Sequence, residues 1–135
     1  MNVCIIGRNL NTLNILSALE DYDEFELIGC ICDISEKSPE CYFRRKPINY
    51  FDVLSDVIKT NKPDIACLAS PNDNNIRMAI EALHSGCAVF VFSSFRLLPQ
   101  DITSLYAVAS TNRTSIIIDH PYLYNRNIAN FINNI

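Results

Sequence analysis

The chain has 135 residues, of which 49% are hydrophobic, and a net charge of -4 from 15 acidic and 11 basic side chains. This length predicts one domain, spanning residues 1–135, with enough apolar material for a buried core. The acidic balance argues against nucleic-acid binding, which needs a basic face, and we interpret the basic cluster Arg44–Lys46 as a solvated loop. No apolar run is long enough to span a membrane, and no basic region precedes the first apolar stretch. We therefore expect no membrane partner, no signal peptide and a cytoplasmic protein.

The six cysteines have no spacing typical of a metal site or a disulfide framework. They are Cys4, Cys30, Cys32, Cys41, Cys67 and Cys87. None forms a C-x-x-C pair, and neither histidine lies at a zinc-like distance from them. Most lie in apolar runs, where a free cysteine packs as a small hydrophobe. We predict reduced thiols and no metal.

Strand-like and helix-like segments alternate along the chain. The predicted strands are residues 2–6, 25–32, 64–69, 87–92 and 115–118. The predicted helices are one starting near Thr12, then 51–60, 72–85, 99–112 and a short one over 127–135, while the polar stretch 35–47 is predicted as a loop.

This alternation predicts a doubly wound α/β domain of the Rossmann-like type, with a parallel sheet of about six strands. Strands joined by single helices need crossover connections, and continuous apolar strands are covered on both faces. Ligands of such sheets bind at the carboxyl ends of the strands. The residues expected at that edge are Gly7–Thr12, Asp33, Ser70–Asn72, the serine pair 93–94 and Asp119-His120.

The first loop, Gly7–Thr12, reads G-R-N-L-N-T where a dinucleotide-binding loop reads G-x-G-x-x-G. Gly7 keeps the tight turn. Asn9 tolerates left-handed backbone angles but narrows the approach to a pyrophosphate, and Thr12 is bulkier than glycine at the packing position. The helix N-terminus that follows offers free N–H groups and a positive dipole end to a pyrophosphate, and Arg8 adds a charge, so Gly7, Arg8, Asn9 and Leu10 are the candidate cofactor residues of this loop. The alternative is a helix capped by asparagine with a solvated Arg8.

Asp33 follows the second predicted strand. A carboxylate at this position can accept the ribose hydroxyls of an adenosine and repels a 2′-phosphate, so a bound cofactor would be NAD in preference to NADP. The alternative is a carboxylate that only caps the following turn.

The most distinctive stretch is PDIACLASPNDNNIRMAIEALHSGCAVFV, residues 63–91. It resembles the signature of the Gfo/Idh/MocA family of nicotinamide-dependent oxidoreductases. The residues in register are Asp64, Ala69, Ser70, Pro71, Asn72, Ala79, Ala82, Leu83, Gly86 and Val89. Residues 119–122 also resemble that family, so the likeness covers nearly the whole chain as an N-terminal Rossmann domain. It implies that Ser70, Pro71 and Asn72 line the nicotinamide-ribose half of a cofactor site.

Two departures from the family pattern affect catalysis. Phe92-Ser93-Ser94 stands where the family has E-K-P, whose lysine helps to position substrate and move protons, and serine has no ammonium for this role. Asn75 stands where the family has histidine. The family carries its substrate-binding and acid/base residues in a second domain, which we expect to be absent because the chain ends at Ile135. No catalytic residue is therefore assigned.

Three functions stay open from the sequence. The first is a cofactor-binding module without catalysis, such as a sensor or pseudoenzyme subunit. The second is a cofactor-free interaction or scaffold subunit, consistent with the loss of two glycines. The third is half of an oxidoreductase completed by a partner chain. Because a domain that once packed against another exposes apolar surface, we also predict self-association, as a twofold dimer through the last strand or helix.

Overall fold

A computed structural model describes residues 1–8, 10–32, 42–70, 72–92, 97–119 and 134, with the backbone alone for Leu10 and Asn11. The strands are β1 Asn2–Ile6, β2 Glu26–Ile31, β3 Tyr42–Phe43, β4 Lys46–Pro47, β5 Tyr50–Phe51, β6 Ile65–Leu68, β7 Ala88–Val91 and β8 Ile116–Ile118. The helices are α1 Leu10–Glu20, α2 Leu54–Thr60, α3 Asp73–His84 and α4 Pro99–Thr111.

Six strands form one parallel sheet in the order β5-β2-β1-β6-β7-β8. The chain starts in the middle at β1, moves outward to β5, and returns across the sheet to β6. The order therefore reverses between β1 and β6, which is the switch point where such sheets bind ligands. This confirms the predicted doubly wound Rossmann-like fold.

Alternate residues of each central strand enter two separate cores. Cys4, Ile6, Ala66 and Leu68 pack with α2, α3 and α4 on one face. Val3, Ile5 and Cys67 pack with Ile15 and Leu16 of α1 on the other face. This alternation is the period-two pattern of strands that are buried on both sides.

Two predicted elements are wrong in detail. The helix predicted over 51–60 begins only at Leu54, because Tyr50 and Phe51 form β5 and pair with Cys30 and Ile31 of β2. The loop predicted over 35–47 contains an antiparallel hairpin of β3 and β4. Strands of two residues are too short to show a periodic pattern. The helix predicted over 127–135 lies outside the described residues, apart from a turn at Asn134.

Arg44 is only partly solvated, with 29% of its side chain exposed, whereas Arg45 and Lys46 are exposed as the interpretation of the basic cluster expects. It lies in the tight turn of the β3–β4 hairpin, where Arg44 and Arg45 both have positive φ, 48° and 65°. Its guanidinium donates to the carbonyls of Leu19, Tyr22 and Phe25 at 3.2, 2.6 and 2.9 Å. Arg44 thus attaches the hairpin to the end of α1 and the turn that follows it, where backbone carbonyls lack helical partners.

The described cysteines are buried free thiols, namely Cys4, Cys30, Cys32, Cys67 and Cys87. Burial raises the pKa of Cys67 to about 12 and also raises the pKa of Cys4 and Cys87. These thiols are therefore neutral packing groups at physiological pH. Within the described ranges, no group of three or more His, Cys, Asp or Glu side chains is placed to hold a metal ion. No helix in those ranges combines the length and apolarity needed to cross a membrane.

Candidate functional site

The ends of β1 and β6 meet at the switch point. The amide of Gly7 donates to the carbonyl of Ile31 in β2 at 2.8 Å, and the amide of Ala69 donates to the carbonyl of Ile6 at 2.9 Å. Gly7 is therefore held between the two neighbouring strands. Ser70, the residue after Ala69, lies directly against it.

Only glycine fits at position 7. Its φ of +91° is a left-handed conformation that side chains rarely adopt. A Cβ there would lie 2.5 Å from Cβ of Ser70 and 2.9 Å from Nδ2 of Asn75. The tight turn that a dinucleotide-binding loop requires of its first glycine is thus present, and the approach of β1 to β6 depends on it.

Thr12 replaces the third glycine of the loop without disrupting the helix–strand contact. Its side chain is buried, and its hydroxyl donates to the carbonyl of Gly7 at 3.1 Å. The thiol of Cys30 also donates to this carbonyl, at 3.5 Å. Thr12 is bulkier than glycine, as predicted, but it links the start of α1 to the turn.

Asn75 connects α3 to the same strand ends. This buried side chain donates from Nδ2 to the carbonyl of Ser70 at 2.6 Å. Its own backbone amide donates to Oδ1 of Asn72, which caps the N-terminus of α3, at 2.8 Å. Sequence reasoning noted Asn75 only as a substitute for histidine, because its bond to a backbone carbonyl leaves no sequence signal.

Arg8 extends to the other side of the switch point. Its guanidinium lies over the ring of Tyr50, the first residue of β5, 5.9 Å from the ring centre, within the range of a cation–π contact. Both side chains are half-buried. Tyr50 was not predicted to lie in a strand, so its position beside Arg8 was not expected from the sequence.

The structure thus describes four of the predicted cofactor residues with their side chains. Gly7 and Ser70 are in contact, Asn72 begins the helix behind them, and Arg8 lies toward β5. For Leu10 only the backbone is described, as the first residue of α1. Asn9, Asp33 and Pro71 lie outside the described residues.

This geometry agrees with a comparison by family model. Residues 1–120 match the model of the Gfo/Idh/MocA oxidoreductase family, described as an NAD-binding Rossmann fold. The chain belongs to this family. No curated protein matches the chain in sequence.

Solved structures with the same fold are longer and distant in sequence. WlbA dehydrogenase from Bordetella pertussis, in complex with NADH and UDP-GlcNAcA, superposes with a TM-score of 0.77 at 18% identity over 95% of this chain and 39% of that one. UDP-N-acetylglucosamine 3-dehydrogenase GnnA from Acidithiobacillus ferrooxidans has a TM-score of 0.76 at 15% identity, over 99% of this chain and 43% of that one. Biliverdin reductase from Synechocystis, in complex with biliverdin and NADP+, has a TM-score of 0.74 at 15% identity, over 90% and 38%. The chain therefore spans about two fifths of the length of these neighbours.

Asn75→Ala is expected to lower the free energy of unfolding by about 2 kcal/mol, because the partly buried carbonyl of Ser70 loses its donor. Asn74→Ala is the matched control, since Asn74 is the exposed neighbour in the same helical turn. Urea denaturation of the two variants compares them. Equal losses of unfolding free energy in the two variants would show that the hydrogen bond from Asn75 to Ser70 makes no specific contribution to stability.

Proposed function

We propose that this domain, residues 1–135, binds a nicotinamide dinucleotide at the β1–β6 switch point and carries out no dehydrogenase chemistry of its own. The observation that carries the proposal is the Gly7 turn, whose φ of +91° and contact with Ser70 admit no side chain. It leads into α1, whose first turn contains no acidic residue. The N-terminus of a helix offers backbone amides that have no partner within the helix, together with the positive end of the helix dipole, and both suit a pyrophosphate.

The adenosine half of the cofactor is assigned to the side of β2 and β5. Asp33 follows β2 in sequence and would accept the ribose hydroxyls, which favours NAD over NADP because a 2′-phosphate would be repelled. Arg8, held over Tyr50, supplies positive charge between this half and the pyrophosphate. Asn9 and Leu10 complete the loop around the phosphates.

The nicotinamide half is assigned to Ser70, Pro71 and Asn72. Ser70 is half-buried against Gly7, which sets its position at the sheet edge. Asn72 uses its side-chain oxygen to cap α3, so its NH2 group is what it can offer to a ligand.

The absence of chemistry is inferred from the residues after β7. Phe92-Ser93-Ser94 replaces E-K-P, and a serine hydroxyl neither carries the charge of the lysine nor has a pKa suited to a general acid or base near neutral pH. We therefore place the chain among pseudoenzyme subunits or cofactor sensors. The buried free thiols support a reducing compartment, the cytoplasm.

Calorimetric titration with NAD and NADP tests this function. NAD is expected to bind with a micromolar dissociation constant, NADP more weakly, and Asp33→Ala is expected to weaken NAD by about tenfold through loss of a charge-assisted hydrogen bond. Asp23→Ala is the control, because Asp23 is an exposed carboxylate in the turn after α1. No heat of binding at millimolar cofactor would contradict the proposal and favour the scaffold alternative. The feature that supports that alternative is the replacement of two loop glycines by Asn9 and Thr12.

Self-association through β8 is also proposed. β8 is the last strand of the described sheet, and its Ile117 is 60% exposed. Ile117→Lys is expected to convert a dimer to a monomer in sedimentation at micromolar concentration, while Tyr106→Lys on the outer face of α4 leaves the dimer intact. A wild-type monomer under these conditions would contradict the dimer.

A further inference from the structure

An apolar groove lies on the α1 face of the sheet, away from the switch point. Its volume is about 240 Å³. The floor is formed by Ile65 and Cys67 of β6 with Phe90 and Phe92 in and after β7, and one wall by Ile15 and Leu19 of α1. Every side chain that lines it is apolar or a neutral thiol.

The groove follows from how the described helices are distributed. α2, α3 and α4 pack on the opposite face, against Ala66, Leu68, Val89 and Val91. On the groove face, the helix that packs on the central strands is α1, and the part over β6 and β7 has no helix among the described elements. Ile117 of β8, which pairs with Phe90, continues the apolar surface on this face.

The segment Asn127–Ile135 has a sequence that is suited to fill this groove. It lies outside the described residues except for Asn134. Ile128, Phe131, Ile132 and Ile135 recur at i, i+3, i+4 and i+7, the spacing of one helical face. Asparagines occupy most of the other positions, and the segment has no charged residue.

The length of the groove and the path of the chain are also compatible with this segment as the occupant. From the level of Ile65, which pairs with Ala88, to Phe92, the groove floor spans five residues of β7 and its extension, a distance of about 13 Å between the first and the last. A nine-residue helix is about 13.5 Å long. Val91 pairs with Ile118, so the chain leaves β8 at the Phe92 end of the groove, and residues 120–126 are ample to reach it.

We propose that Asn127–Ile135 docks as a helix in this groove of its own chain, with Ile128, Phe131, Ile132 and Ile135 against the sheet. The segment covers the half of the sheet face that α1 leaves open. It leaves the β8 edge available for self-association.

Photocrosslinking tests the docking. A photoreactive benzoylphenylalanine at position 131 is expected to crosslink, within one chain, to peptides carrying Phe90–Phe92 or Ile15–Leu19. The same probe at position 130, on the polar face of the predicted helix, is expected to give a yield lower by about fivefold or more. Mixing isotopically light and heavy protein separates crosslinks within a chain from crosslinks between chains. Equal yields from the two positions, or groove crosslinks that join light to heavy chains, would overturn the proposal, the latter in favour of a second copy as occupant.

A thermal measurement gives an independent readout. Phe131→Asp is expected to lower the Tm by about 4 °C or more, because a charge cannot be accommodated against the apolar floor, while Asn130→Asp leaves it nearly unchanged. A Tm that does not respond to Phe131→Asp would contradict docking.

Discussion

Gly7→Ala is expected to lower the free energy of unfolding by about 3 kcal/mol and to abolish measurable NAD binding. The cost has two physical sources. A side chain is strained at φ +91°, and the new Cβ would lie 2.5 Å from Cβ of Ser70 and 3.2 Å from its backbone nitrogen. Ser70 follows a buried strand that is bonded to β1, so relief of the clash must separate the ends of β1 and β6. Urea denaturation and calorimetry on the same variant measure the two effects.

Gly86→Ala is a closely matched control for this prediction. Gly86 has nearly the same backbone angle, φ +84°, but the nearest atom to its added Cβ is Nζ of Lys62 at 3.3 Å, the end of a flexible side chain. It ends α3 at the opposite edge of the sheet, so its replacement is expected to cost about 1 kcal/mol and to leave NAD affinity unchanged. Similar losses in the two variants would mean that backbone strain alone acts at Gly7 and that the contact with Ser70 is unimportant.

Arg44→Met is expected to destabilise the domain by about 2 to 3 kcal/mol, although it removes a residue from a basic turn. The guanidinium donates to three backbone carbonyls at the end of α1 and in the following turn, and methionine can donate to none. Its ion pair with Glu26, at 3.8 Å, adds little because the Glu26 side chain is 69% exposed. Chemical denaturation measures the loss.

Arg45→Met separates this role from charge and turn geometry. Arg45 is the next residue of the same turn, also has positive φ, and is exposed. Its replacement is expected to change stability by about 0.5 kcal/mol or less. If the two variants lose the same stability, the carbonyl contacts of Arg44 are not what holds the hairpin to α1.

The sequence predicted α3 and its surroundings closely because its signals are local. Asn72 caps the helix, an apolar stripe follows, and Gly86 ends it with positive φ, so the prediction of 72–85 differs from the observed helix only by its two capping residues. The parallel, doubly wound arrangement of the sheet was also predicted, since strands joined by single helices need crossover connections.

The remaining features depend on partners that are distant in the chain. Arg44 donates hydrogen bonds to carbonyls about twenty residues earlier in the chain. Because every residue has a backbone carbonyl, the sequence does not indicate which ones Arg44 contacts. Tyr50 belongs to a strand of two residues, which shows no period. In the sequence, Thr12 is only a bulky replacement for a loop glycine. The hydrogen bond from its hydroxyl to the carbonyl of Gly7 is visible only in the structure. In each case the contact exists only after the sheet has assembled.

The most direct test of the central claim is to titrate isotope-labelled protein with NAD and follow the backbone amide chemical shifts. We expect saturable shifts concentrated at Gly7, Arg8, Ser70 and the first turns of α1 and α3, because these amides surround the switch point. The chemical shifts of amides at the opposite edge of the sheet, such as that of Gly86, are expected to stay unchanged. Spectra unchanged at millimolar NAD, or shifts confined to the groove beside Phe90, would contradict cofactor binding at this site.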